Sequence, residues 1–180
     1  MREGFVRLIE IIGEKGVIPR LRATDRDEAL LEIVDHMVEN GHVPAEQREE
    51  ILMALLKREA LGATSIGNSV AIPHVKTNLV NNFVGSIGIS RDGIRFAAGE
   101  PLVHIVILFL SPERAVSGHL RLLAHIGGIL NHDGYVRLLR DAQGRAEIVD
   151  LIRDAERMIF GEDPGDPNER GDDSGTPVLA

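Results

Sequence analysis

Nine residues, Leu102 to Leu110, read Leu-Val-His-Ile-Val-Ile-Leu-Phe-Leu and lie between Pro101 and Pro112. A half-wet strand would alternate apolar and polar residues. A run this uniformly apolar, rich in β-branched Val103, Ile105, Val106 and Ile107, is a central strand buried on both faces. It is too short to cross a bilayer. His104 inside it reads as a satisfied core or edge histidine. Such a strand needs a layer above it and a layer below it, so the rest of the chain must supply helices for both.

The helices are legible by period. Thr24 and Asp25 form a start signal, with Asp27 and Glu28 in the first turn, and Leu30, Ile33, Val34, Met37 and Val38 repeat at helical spacing up to Gly41. Pro44 opens a second helix over about 45–61, with Ile51, Leu52, Leu55 and Leu56 inward, and Gly62 ends it. A third covers 115–131. At about 100° per residue, Leu120, Leu122, Leu123, Ala124, Ile126, Gly127 and Leu130 share an inward arc that includes His119, while His125 and His132 fall outside it on the wet side. Gly127 and Gly128 suggest a close approach to a neighbour. Asp133 caps a short helix with Val136, Leu138 and Leu139, and a last helix after Gly144 carries Ile148, Leu151, Ile152, Ala155 and Ile159. Residues 5–12 are apolar and short, compatible with a strand or a helical turn. Phe83–Ser90 reads as a strand, 91–93 as a turn and 94–96 as a short return. Two helices, several strands and three more helices predict an α/β sandwich with a mixed sheet and helices on both faces.

The chemistry concentrates in 62–77, Gly-Ala-Thr-Ser-Ile-Gly-Asn-Ser-Val-Ala-Ile-Pro-His-Val-Lys-Thr. Gly67-Asn68 is a hairpin dipeptide. Pro73 fixes its own φ and pushes Ile72 into extended geometry, so His74 is held on a rigid strand end. Its imidazole is a competent nucleophile near neutral pH. Arg58, in the last turn of the helix just before, is either a solvated cation at a helix end, which spacing alone favours, or is delivered to the His74 strand.

Rivals fall away on spacing. The chain has no cysteine, no Gly-x-Ser-x-Gly elbow and no Walker loop. Its seven histidines contain no tight His-x-x-x-His pair, so no metal site and no cofactor are expected. A net charge of −8 and only six aromatic residues argue against a nucleic-acid partner. Residues 161–180 carry six acids against one base, and their breaker-rich composition predicts a disordered tail behind a single domain over 1–160. With no long apolar segment at the N-terminus, a soluble, cytoplasmic protein is expected. His74, an inward His119 and Arg58 would suit phosphoryl transfer through a phosphohistidine. Arg58 would brace the oxygens, His119 would donate a hydrogen bond, and backbone amides around Asn68–Ser69 would add support. The plainer alternative has His74 capping a strand and His119 filling the core; spacing leaves both open.

The segment Gly62 to His74, ending Ala-Ile-Pro-His, resembles the phosphorylation-site signature of the fructose/mannitol-class IIA components of the bacterial phosphoenolpyruvate-dependent sugar phosphotransferase system, which nitrogen-regulatory IIA proteins share. Asp92-Gly93-Ile94-Arg95-Phe96, Pro101-Leu102-Val103-His104, Leu110-Ser111-Pro112 and His119-Leu120-Arg121-Leu122-Leu123-Ala124 match in order, and the similarity runs from about Thr24 to Met158. The resemblance implies that His74 is the phosphoacceptor, that His119 is the second active-site histidine, and that Arg58 and Asn68 support the site. It implies a phosphocarrier protein as donor, and a IIB domain or a regulated target protein as acceptor. It favours a regulatory, nitrogen-type role. The alternatives are a subunit feeding a separate sugar permease and a binding module acting by protein contact. Two positions depart from the family pattern: Val75 and Ser69 stand where glycine is common. A chain with no shared site would hold His74 and His119 more than about 10 Å apart.

Overall fold

The computed structural model describes residues 6–161; the acidic tail expected over 161–180 lies, but for Gly161, outside the described residues. The elements in order are α1 (Leu8–Ile12), β1 (Val17–Ile18), α2 (Arg26–Glu39), α3 (Arg48–Ala60), β2 (Ser65–Gly67), β3 (Val70–Ala71), β4 (His74–Thr77), β5 (Val84–Ile94), β6 (Val103–Pro112), α4 (Val116–Leu130), α5 (Asp133–Asp141) and α6 (Arg145–Phe160). The ambiguous segment near the N-terminus is therefore helical. Before α3 the chain takes one short 3₁₀ turn over Ala45–Gln47, entered from Pro44.

Strand β6 is the centre of the sheet, and every one of its residues is buried. It pairs antiparallel with β5 on one side and parallel with β3 and then β4 on the other; β1 and β2 complete the sheet. Its side chains alternate between two cores, as the pleat requires. Ile105, Ile107 and Phe109 meet α1, α4, α5 and α6. Val106, Leu108 and Leu110 meet α2 and α3. The mixed α/β sandwich with helices on both faces is thus the fold.

Local signals fare well where they are self-contained. Asp25 caps α2, its carboxylate accepting the Glu28 amide at 3.0 Å. The hairpin forms one residue on from the expected Gly67-Asn68 dipeptide: β2 and β3 are antiparallel, Gly67 pairs with Val70, and the two loop residues are Asn68 and Ser69 at φ 48° and 63°. Two consecutive positive φ values are what a two-residue primed turn needs.

Three expectations are corrected. Residues 91–93 do not turn the chain back. Strand β5 continues to Ile94, and its register against β6 shifts between Ile89 and Ile94, which absorbs the extra residues in a bulge. Gly127 meets no neighbour, since a Cβ added there would have nothing within 4 Å. The inward arc of α4 is rotated: His125 is buried and Leu120 is 62% exposed. Ile129, Leu122, Ile126 and His119 define the true centre, roughly 70° from the expected one. The apolar stripe was broad enough to permit either setting. The observed setting gives His125 a buried partner on another helix: Glu156 of α6 meets His125 Nε2 at 2.5 Å, both side chains 1% exposed, and also accepts the Leu8 amide at 2.6 Å.

Candidate functional site

Pro73 and the β4–β6 pairing set His74. The Pro73 carbonyl accepts the Phe109 amide at 3.1 Å, and His74 stands opposite Phe109 in register. The two rings stack, with centroids 5.5 Å apart and planes 15° from parallel. His74 Nδ1 lies 2.6 Å from the Ile72 carbonyl oxygen. A carbonyl only accepts, so Nδ1 carries the hydrogen and Nε2 carries the free lone pair.

His119 approaches from the first turn of α4. Its ring centroid is 5.2 Å from that of His74, edge to face at 62°, and 5.3 Å from Phe109. The two imidazoles share one site, which removes the reading in which they stand far apart. Ser111 Oγ lies 2.6 Å from His119 Nδ1.

Arg58 is half-buried in the last turn of α3, which packs against β4. One of its nitrogens donates to the Gly62 carbonyl at 3.0 Å. Its charge reaches both imidazoles, lowering the basicity of each. It thus sits half-buried at the end of a helix packed against β4. Lys76, exposed on β4, sits two residues beyond His74 and on the same face, opposite Ser111. Its charge also acts on His119.

Asn68 and Ser69 are not brought to His74. Val70 pairs with Ile105 and His74 with Phe109, so the hairpin turn lies about 15 Å down the strand from the imidazole. The Asn68 side-chain amide donates instead to the Leu130 carbonyl at 3.0 Å, at the far end of α4. Val75 points away as well. Successive residues of a strand face opposite sides, and Val75 packs with α2 and α3 in the other core. Its departure from glycine does not intrude on the His74 ring.

Periodicity passed over two residues here. Glu59 is buried, and its carboxylate accepts the Thr64 amide at 3.0 Å and the Thr64 hydroxyl. The Thr64 carbonyl in turn accepts the Ile72 amide at 3.0 Å. That chain of bonds runs from the helix to the residue that orients His74. The signal was present: Glu59 continues the Ile51/Leu55 stripe, and an acid on a buried stripe needs a partner. Ser111 carried no local signal.

Burial lowers the His74 pKa below its ordinary value. Arg58 pushes the same way, while the Ile72 carbonyl and Glu59 act against them. His119 is lowered to about 4, by burial first and then by the charges of His74, Lys76 and Arg58. Both rings are neutral at pH 7. An unfolded chain would protonate them below about 6.5. Their contribution to stability is therefore full above that pH and is lost as pH falls toward the folded values. In an NMR titration, His74 should show its midpoint below 6.5 and His119 near 4, with the denaturant midpoint declining over the same interval. An ordinary midpoint near 6.5 for both would contradict this description.

Among the described residues, no three His, Asp or Glu side chains cluster closely enough to hold a metal ion, and no helix is long and apolar enough to cross a membrane.

A family model described as phosphoenolpyruvate-dependent sugar phosphotransferase system, EIIA 2, matches residues 10–155. A nitrogen regulatory protein of Bradyrhizobium diazoefficiens is 28% identical over 147 residues, 81% of this chain and 94% of that protein. A fructose-specific EIIABC component of Bacillus subtilis is 26% identical over 149 residues, 82% of this chain; the chain spans only 23% of that longer relative. Among solved structures, nitrogen regulatory protein IIA-Ntr from Neisseria meningitidis superposes with a TM-score of 0.72 at 22% identity, over 79% of this chain and 97% of that one.

Proposed function

The chain belongs to the phosphoenolpyruvate-dependent sugar phosphotransferase system EIIA 2 family, and from that premise we propose that it carries a phosphoryl group on Nε2 of His74. The observation that supports this most is the Nδ1–H bond to the Ile72 carbonyl, which leaves one nitrogen of a neutral, rigidly held imidazole free to attack.

The donor is the phosphohistidine of a small phosphocarrier protein. The Nε2 lone pair attacks phosphorus in line. The new N–P bond forms as the N–P bond to the donor imidazole breaks, and the departing nitrogen keeps that electron pair. His74 Nδ1 holds its proton throughout, so the ring gains positive charge as the bond forms. The Ile72 carbonyl and the nearby Glu59 carboxylate offset that charge. Arg58 and Lys76 face the anionic oxygens, where preorganised cations stabilise the transferring group. His119 donates a hydrogen bond to it.

A protein donor suits the surroundings of the site. Val116 and Leu120 of α4 flank His119 and are 51% and 62% exposed, an apolar rim beside a cationic centre. The acceptor is a IIB domain or a regulated protein. A regulatory, nitrogen-type role is supported by a nitrogen regulatory protein among the relatives that the chain spans almost end to end; a mannitol-specific IIA component is spanned as fully, and its role as a subunit feeding a permease is the second reading.

The test is incubation with phosphoenolpyruvate, enzyme I and the cognate carrier. One acid-labile phosphoryl group per chain is the expected result. An unlabelled chain beside a verified active carrier would leave only a regulator acting by protein contact.

A further inference from the structure

We propose that Ser111 is a positioning residue: its hydroxyl donates to His119 Nδ1 and so sets the tautomer in which Nε2–H is the donor offered to the phosphoryl group. The inference rests on the phosphoryl-carrier reading.

Ser111 is the last residue but one of β6, immediately past the apolar run. It shares a strand face with Phe109, two residues earlier, and so with the site. In register it stands opposite Lys76, as Phe109 stands opposite His74. Its side chain is fully buried, and its oxygen is 2.6 Å from His119 Nδ1.

A neutral imidazole has one N–H and one lone pair. Whichever nitrogen Ser111 engages decides what the other offers. If Ser111 accepted from Nδ1–H, its own hydroxyl hydrogen would need a second acceptor in the interior, and among the described residues His119 is the partner its side chain has. A buried donor left unmade costs more than an idle lone pair. Donation by Ser111 satisfies the hydroxyl hydrogen and the Nδ1 lone pair with a single bond. The hydrogen of His119 is then on Nε2, across the ring from Ser111. In the opposite tautomer Nε2 would present a lone pair to anionic oxygens and repel them. Ser111 thus acts through His119 and touches no reacting atom.

The experiment observes the imidazole nitrogens of the full chain by ¹⁵N NMR at pH 7, alongside the rate of phosphoryl uptake from the carrier. The wild type is expected to show His119 as the Nε2–H tautomer. Ser111→Ala should shift it toward Nδ1–H or a mixture and slow uptake on the order of 10-fold, the lower end of the loss seen when the orienting partner of a metal-bound histidine is removed. Ser111→Thr, which keeps the hydroxyl, should restore both. A wild-type Nδ1–H tautomer, or a Ser111→Ala variant unchanged in tautomer and rate, would overturn the proposal. The wild-type spectrum decides the tautomer even if a variant folds poorly. Because that spectrum needs no phosphorylation, its outcome is separable from failure of the carrier reading, which the unlabelled wild type would report.

Discussion

Replacing His74 by glutamine is expected to abolish phosphoryl uptake while leaving the fold intact. Glutamine has a similar reach, and its amide can still donate to the Ile72 carbonyl that now takes the Nδ1–H. What it lacks is a nucleophilic nitrogen, because the amide lone pair is delocalised. His119→Gln should behave differently. In the proposed mechanism His119 forms no bond to phosphorus, so its loss should slow uptake by roughly 10²-fold, the scale for removing one donor to a developing anion, without ending it. Acid-labile label on the two variants, read against thermal melts, separates the roles. Label retained on His74→Gln would mean that the phosphoryl group sits elsewhere, His119 being the nearest candidate at 5.2 Å.

Glu156→Ala should cause the largest loss of stability, about 3 kcal/mol, because two buried donors lose their acceptor at roughly 1–3 kcal/mol each. The carboxylate is fully buried and is bound at once by His125 of α4 and by the Leu8 amide at the start of α1. Removing it strips two donors in one substitution and opens a cavity between α1, α4 and α6. For a chain of this size the melting temperature should fall by roughly 10 °C. The double variant His125→Leu/Glu156→Leu should recover much of the loss, since the two buried ionisable groups go together. Urea unfolding of both variants measures this. A loss under about 1 kcal/mol for Glu156→Ala would show that the pair does not hold the helices together.

Some of the site was written locally. Pro73 and its neighbours dictate a stiff extended segment ending in His74, and no tertiary contact is needed to read it. The uniform run 102–110 dictates a strand covered on both sides, and that in turn dictates helices on both faces. The Asp25 cap and the hairpin at Asn68-Ser69 are likewise self-contained, because each bond or dihedral involves residues within a few positions of one another.

The misplaced parts share one physical cause. A hydrophobic arc says how much of a helix is buried, but not which edge of the arc meets the sheet. On α4 the observed edge pairs His125 with Glu156, 31 residues away in the chain. The same holds for the support of the site. Asn68 is near His74 in sequence, yet β3 carries it down the strand and leaves its amide on Leu130. Ser111 is 37 residues after His74, yet the β4–β6 register places it opposite Lys76, one step along that face from the stacked His74 and Phe109. The sequence by itself determined the rigid histidine, the central strand and the layered architecture, since these follow from backbone restriction and from counting apolar surface. Only the tertiary structure decided what surrounds the His74 imidazole. Strand register and buried polar partners join residues far apart in the chain, and no local pattern encodes such a partnership.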